Sequence, residues 1–216
     1  MAIKSDREYR NFSFERRAKE EGEESSFLVE GYASTFEEYK LFEDEDYIYN
    51  ERIEPTAFDE ADMTDVVFLL DHTGRVYART KNGTVKLSVD DKGLYSETDL
   101  SKTEASRGVY EDIEAGNYDQ MSFAFTVEAD RFEEKRTEGE KTVYTRIIDR
   151  IKKVYDISAV GFPANPTTNI GVATRAAFDG AIKDFEAERL KEERNRQEQA
   201  RQRAIAKMKL LEVDYD

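Results

Sequence analysis

The chain has 216 residues, enough for one domain with a sizeable core, with or without an appendage. It contains no cysteine, which excludes disulfides, cysteine-based zinc sites and cysteine-protease chemistry, and its single histidine, His72, excludes every site that needs two imidazoles. The net charge of −15 disfavours binding to nucleic acids and to anionic membranes.

The composition changes twice along the chain. Residues 1–26 are polar, residues 27–174 carry most of the β-branched and aromatic residues, and residues 175–216 are dense in helix formers. This pattern predicts a polar N-terminal segment, one β-rich domain and a charged helical tail. No apolar run is long enough for a transmembrane helix, and the N-terminus lacks the apolar stretch of a secretory signal. We therefore expect the protein to stay in the cell that makes it.

Apolar runs predict the strands in the first half of the domain. Residues 27–33 alternate, whereas Val66–Leu70 is a continuous run, typical of a strand buried on both faces. The pair Asn82-Gly83 predicts a tight hairpin, and the turn residues 90–93 predict a second one. Residues 76–98 are therefore expected to form a three-stranded antiparallel meander.

A helix and a long hairpin are predicted in the second half. Residues 103–115 have helical periodicity, and Gly116 is a stop signal. Strand patterns then resume, with a polar tip at 137–140 that reverses the chain, and Pro163 and Pro166 end the sheet region. The strands are predicted at 120–129, 143–151 and 154–162.

The tail from Ala176 to Lys209 is predicted to be one helix. Its apolar residues are too sparse to form a stripe that packs into a deep core. Two interpretations stay open: a long solvated helix supported by i,i+4 ion pairs, or an arm that docks on another helix during assembly.

Two residues of the β-rich part are candidates for chemistry. His72 follows the apolar run 66–70, which places it at the rim of the core, where an imidazole can move protons near neutral pH. Ser122 is a hydroxyl within the apolar strand 120–125, and it needs a hydrogen-bond partner there. On these patterns alone, each residue could also be an ordinary structural residue that bonds a turn or a backbone carbonyl. No GxSxG motif is present, which disfavours an α/β-hydrolase.

A third member of such a site would be a carboxylate, because no second histidine exists. Asp156 and Asp149 are the two candidates. A regular hairpin centred on residue 139 would place Asp156 opposite Ser122 and Asp149 opposite Ala129. A shift of one residue in the register would reverse the face, so both aspartates stay open.

Six segments in order resemble the tailed-phage prohead (procapsid) maturation protease family, which is related to the herpesvirus assemblin serine proteases. Each segment is short, but their common order across residues 27–170 makes the resemblance specific. They are Gly31–Phe36, Arg52–Phe58, Val66–His72, the run from Ala78 through Tyr95 with its Asn82-Gly83 and Lys92-Gly93 pairs, Gln120–Phe125 and Val154–Pro166.

The resemblance implies roles for these residues. It makes Ser122 the nucleophile, His72 the general base and an acidic residue, Asp156 or Asp149, the third member, with no metal or cofactor. The assemblins use arginines after their third member to hold the oxyanion, but residues 159–166 contain none, so backbone N–H groups are the expected oxyanion donors. The expected fold is α+β: an antiparallel, barrel-like sheet with surrounding helices, similar to the herpesvirus proteases, followed by a long C-terminal helix.

The resemblance also implies the biology. A protease of this kind would cut scaffold segments, the major capsid protein and itself inside the procapsid, in the host cytoplasm, and would act as a homo-oligomer with no nucleic-acid or membrane partner. Two alternatives remain. One is an internal scaffold or assembly protein that has kept the fold but does not cleave, and the other is an unrelated β-rich binding protein.

Overall fold

The computed structural model describes residues 7–13, 27–136, 141–161 and 172–213. These residues contain ten strands, two α-helices and two short 3-10 turns, and the chain divides into two units at residues 1–171 and 172–216. The strands and helices are β1 Glu8–Ser13, β2 Leu28–Thr35, β3 Tyr39–Glu43, β4 Tyr47–Ile53, β5 Val67–Leu70, β6 Thr73–Arg79, β7 Val85–Val89, β8 Gly93–Asp99, α1 Glu104–Ala115, β9 Gln120–Arg136, β10 Thr142–Val160 and α2 Val172–Val213.

The first unit holds two sheets. Seven strands form the larger one, in which β1, β9, β10, β4 and β3 are successive neighbours and β5 links β10 to β6. The smaller sheet has the order β2-β8-β7 and is antiparallel throughout. Both sheets and α1 contribute side chains to one hydrophobic cluster, so they share a core.

The central strand of the large sheet is β10. It pairs antiparallel with β9 along its length, but its other edge pairs in parallel with β4 over residues 142–148 and with β5 over residues 156–159. Because β10 spans 19 residues, it can take a different neighbour at each end. The last part of β10 therefore lies between β9 and β5, the two strands that carry or precede the candidate residues.

The expected α+β class is confirmed, but the antiparallel barrel is wrong. The large sheet is mixed, since β10 runs parallel to β4 and β5, and neither sheet closes on itself within the described residues. The physical reason is the long connection from β5 to β10, which passes through the second sheet and α1 and returns in the parallel direction. The likeness to the herpesvirus protease fold stays a prediction.

Of the three-stranded meander predicted over 76–98, only the second hairpin forms. β6 pairs with β5 in the large sheet and β7 pairs with β8 in the small one, so the chain changes sheets at Asn82-Gly83 instead of forming a hairpin there. The Asn82 side chain accepts hydrogen bonds from the backbone N–H and the hydroxyl of Thr84, and Gly83 ends a 3-10 turn with φ of 75°. The second predicted turn, at 90–93, does close the β7–β8 hairpin.

The predicted helix is confirmed as α1. Thr103 caps its N-terminus by accepting a hydrogen bond from the Ser106 backbone N–H at 3.0 Å, and Gly116 ends it in the left-handed conformation with φ of 85°. Val109 and Ile113 face the core.

The strand β1 lies inside the segment that the sequence describes as merely polar. It pairs antiparallel with β9, and two of its charged side chains enter a buried ionic cluster. Arg146 of β10 is fully buried at the centre of this cluster and donates hydrogen bonds to Glu8, Glu51 and Asp130, while Arg10 bonds Glu8 and Glu51. Burial alone would lower the pKa of Arg146, but Glu8 and Glu51 raise it above its ordinary value, so the guanidinium stays charged.

The tail helix is confirmed as α2, which forms the second unit. Most of its described side chains are exposed, including Leu190 and Ile205. Two i,i+4 pairs, Glu192–Arg196 and Glu198–Gln202, support the helix on its surface.

The predicted tip at 137–140 and the sheet-ending Pro163 and Pro166 lie outside the described residues. In the part of the chain that the structure describes, no helix combines the length and apolarity needed to span a membrane.

Candidate active site

His72 lies in a tight turn between β5 and β6. Leu70 pairs with Thr73, so Asp71 and His72 alone make the turn, with φ angles of 46° and 57°. A two-residue hairpin of this kind needs positive φ at both central positions, and Asp and His are among the few non-glycine residues that tolerate it. Such conformations cost about 1–3 kcal/mol each and cluster at functional sites.

The turn is tied to the end of β10. The Asp71 backbone N–H donates to the Ala159 carbonyl at 3.1 Å, and the Asp71 carboxylate accepts from the Gly161 backbone N–H at 3.2 Å. These two bonds hold the turn beside the last residues of β10. The imidazole of His72 is thereby placed close to side chains that point from β9 and β10.

Ser122 lies on β9, directly opposite Ser158 on β10. The prediction that Asp156 stands opposite Ser122 is wrong by two residues, since Asp156 pairs with Ala124. The hairpin begins in the predicted register, with Thr142 opposite Arg136, but irregularities between Ile148 and Asp156 shift it. The net shift is even, so Asp156 keeps the face that Ser122 occupies.

The three candidate side chains form one hydrogen-bonded chain. His72 Nε2 lies 2.6 Å from Ser122 Oγ, and His72 Nδ1 lies 2.6 Å from Asp156 Oδ1. Ser122 is fully buried and Asp156 is 2% exposed, whereas the His72 side chain is 16% exposed. The acid is thus shielded from water, and the imidazole lies at the edge of the site.

The acceptor-only carboxylate determines the tautomer of His72. A carboxylate has no proton to give, so Nδ1 carries the hydrogen and donates it to Asp156. In the neutral ring Nε2 then presents its lone pair to the Ser122 hydroxyl. This arrangement can take a proton from Ser122 Oγ and hold the resulting imidazolium beside a buried negative charge.

Asp149, the other candidate acid, is not brought to His72. It falls in the irregular stretch between Ile148 and Arg150, and its half-buried carboxylate forms an ion pair with Arg131. Of the two aspartates that the sequence offered as the third member, the structure therefore places only Asp156 in contact with His72.

Two further residues contact the site and were not predicted. Ser158 donates a hydrogen bond to Asp156 Oδ1 at 2.8 Å, and the Tyr9 ring meets the His72 ring edge-on with centroids 4.5 Å apart. The period of a strand places residue 158 on the same face as residue 156, a signal that the sequence contains. Tyr9 belongs to β1, and nothing local in the sequence indicates that β1 pairs with β9.

No three Asp, Glu or His side chains within the described ranges are arranged to hold a metal ion. Backbone N–H groups as oxyanion donors stay a prediction.

Comparison with known proteins identifies the family of the chain. Residues 12–181 match the family described as Caudovirus prohead serine protease, and this match spans His72, Ser122 and Asp156. No curated protein and no solved structure matches the chain. Because the match covers well over half of the residues, the chain belongs to the caudovirus prohead serine protease family.

Proposed function

We propose that this protein is a serine endopeptidase that cleaves scaffold segments, capsid protein and its own flanking segments inside the phage procapsid. Membership of the family indicates a protease role in phage head maturation. The observation that carries the finer proposal is the hydrogen-bonded chain from Asp156 through His72 to Ser122, with both contacts at 2.6 Å.

The proposed reaction proceeds through an acyl-enzyme. Ser122 Oγ attacks the scissile carbonyl carbon while His72 Nε2 takes the hydroxyl proton, and the carbonyl oxygen becomes an oxyanion. The C–N bond then breaks, and His72 gives its proton to the leaving amine. Water then attacks the acyl carbon while His72 accepts its proton; the bond from that carbon to Ser122 Oγ breaks, His72 returns the proton to Oγ, and the product leaves as a carboxylic acid.

Asp156 stays ionised throughout in this proposal. Its contact with Nδ1 keeps Nε2 free of a hydrogen before attack, and its charge stabilises the imidazolium after attack. Burial strengthens that interaction because the surroundings have a low dielectric constant. Backbone N–H groups are the proposed oxyanion donors.

The proposed substrates are proteins of the same phage. A net charge of −15 favours protein partners over nucleic acid, and the family places the enzyme at the procapsid. We further propose that the protease acts there as a homo-oligomer.

Co-expression with the capsid protein of the same phage tests the proposal. Wild-type protein should shorten the capsid chain, and Ser122→Ala should not. Ser96→Ala is a matched control, because Ser96 is also a fully buried strand serine but lies on β8, in the other sheet. Equal shortening by wild type and Ser122→Ala would refute the mechanism. An intact capsid chain in every sample would instead favour the non-cleaving assembly protein.

A further inference from the structure

A second serine lies within the proposed catalytic group. Ser158 is fully buried on β10, directly opposite Ser122 and two residues after Asp156. Successive side chains of a strand point to opposite faces, so Asp156 and Ser158 share one face, and Ser122 joins them there as a cross-strand neighbour.

The hydroxyl of Ser158 meets the acid and the base at once. Its Oγ donates to Asp156 Oδ1 at 2.8 Å and lies 3.3 Å from His72 Nδ1. Asp156 Oδ1 is also the atom that accepts from His72 Nδ1 at 2.6 Å. A single carboxylate oxygen therefore receives hydrogen bonds from two side chains.

This geometry restricts the carboxylate. The terminal torsion of an aspartate is broad, so one bond to an imidazole leaves the carboxylate free to rotate. A second donor on the same oxygen, from the same strand, restricts this rotation and holds Oδ1 at its contact with Nδ1. Hydrogen bonds to charged groups are the stronger ones, which makes this constraint effective.

We propose that Ser158 is a positioning residue that acts through Asp156 to hold His72 in the tautomer and orientation needed by Ser122. The inference rests on the proposed function, since it assigns Ser158 a part in the same reaction. Ser158 would touch neither substrate nor reacting atoms.

Burial alone does not account for where this hydroxyl points. Ser96 is equally buried, yet its Oγ has no hydrogen-bond partner among the described residues. A strand serine can also bond a neighbouring backbone carbonyl. The Ser158 hydroxyl instead bonds Asp156, the carboxylate that contacts the chain's only imidazole.

The first test is a double-mutant cycle on the full-length protein, read by the rate at which diisopropyl fluorophosphate modifies Ser122 in intact-mass spectra. Ser158→Ala should lower the maximal rate of modification about 10- to 100-fold, the range for loss of a hydrogen bond to a charged group, without changing the reagent concentration that gives half that rate. In an Asp156→Asn background the same change should have an effect of less than about 2-fold, because residues that act as a unit are non-additive. Ser96→Ala should behave as wild type.

The second test observes the imidazole directly. The chain has one histidine, so protein labelled with ¹⁵N-histidine has a single imidazole in its spectrum. The Nδ1–H signal of wild type should move or broaden in Ser158→Ala and remain unchanged in Ser96→Ala. This measurement needs no activity, so it holds even if Asp156→Asn reacts too slowly to measure.

The outcomes are distinguishable from failure of the proposed function. Equal losses in the two backgrounds, or an unchanged rate and spectrum in Ser158→Ala, would overturn the role of Ser158 and leave the protease proposal standing. Modification that persists in Ser122→Ala would overturn the protease mechanism itself.

Discussion

His72 Nε2 and Ser122 Oγ lie 2.6 Å apart although fifty positions of sequence separate them. Two structural features, a turn and a hairpin, produce this contact. A strained two-residue turn holds the imidazole at the end of β5, and the β9–β10 hairpin presents the hydroxyl from an otherwise apolar strand. Between them, the last part of β10 supplies Asp156, so three neighbouring strands meet at one small group of side chains.

The two aspartates should differ sharply in mutants. Asp156→Asn replaces the acceptor of His72 Nδ1 and favours the wrong tautomer, so we expect the rate of Ser122 modification to fall by about 10⁴, as in other Ser-His-Asp sites. Asp149→Asn should leave the rate unchanged, because Asp149 pairs with Arg131 instead. A loss of activity in Asp149→Asn, with Asp156→Asn active, would reverse the assignment.

The turn before β6 should tolerate asparagine but not valine at position 71. Asp71→Asn keeps a residue that accepts φ of 46° and an oxygen for the Gly161 N–H, whereas Asp71→Val introduces a β-branched residue that rarely adopts this conformation. We expect Asp71→Val to lower the free energy of unfolding by about 1–3 kcal/mol and to slow the modification of Ser122. Urea denaturation and the labelling rate measure the two effects. Equal unfolding free energies and equal labelling rates in the two variants would show that the positive φ at residue 71 matters neither for stability nor for the reaction of Ser122.

The buried ionic cluster should be essential for stability. Arg146→Met leaves Glu8, Glu51 and Asp130 near one another with Arg10 as a remaining cation, so we expect a loss of about 3–5 kcal/mol. Arg150→Met is the matched control on the same strand. Its side chain is 56% exposed and its contact with Glu128 is 3.5 Å, so the loss there should be below about 1 kcal/mol. Similar unfolding midpoints for the two variants in urea would contradict this account.

The ring of Tyr9 should assist catalysis with little effect on folding. Tyr9 is 44% exposed, and its ring meets the His72 ring edge-on. Contacts of this kind stabilise aromatic pairs by about 0.5–1.5 kcal/mol. Tyr9→Ala should therefore slow the modification of Ser122 about 2- to 10-fold, while Tyr9→Phe should stay close to wild type. Unfolding free energies should fall by no more than about 1.5 kcal/mol in Tyr9→Ala, the size of the lost ring contact. An unchanged rate in Tyr9→Ala would mean that β1 only supports the sheet.

Local signals predicted much of this fold. The helical periodicity of residues 103–115 and the Gly116 stop indicated α1, and strand patterns indicated β2, β9 and β10, although 143–151 and 154–162 were expected to be two strands and form one. Each of these features depends on residues close together in the sequence. The chemistry was accessible for a similar reason, since His72 is the only imidazole and Ser122 interrupts an apolar strand.

Several contacts between residues far apart in the sequence were not predicted. Asn82-Gly83 satisfies the rules of a hairpin turn, but its neighbours pair with strands in two different sheets, which no local pattern encodes. Charged residues in β1 look like a solvated segment until Arg146, more than 130 positions away, provides their buried partner. The exact opposition of Ser122 and Ser158 depends on irregularities in β10, which shift the register by two residues.

The most direct measurement of the central claim is the site of covalent modification. Purified full-length protein treated with diisopropyl fluorophosphate should carry the adduct on Ser122, as identified by peptide mapping. Ser122→Ala should carry none, and His72→Ala should react far more slowly because the hydroxyl has lost its base. An adduct on another serine, or an equal rate in His72→Ala, would contradict the account.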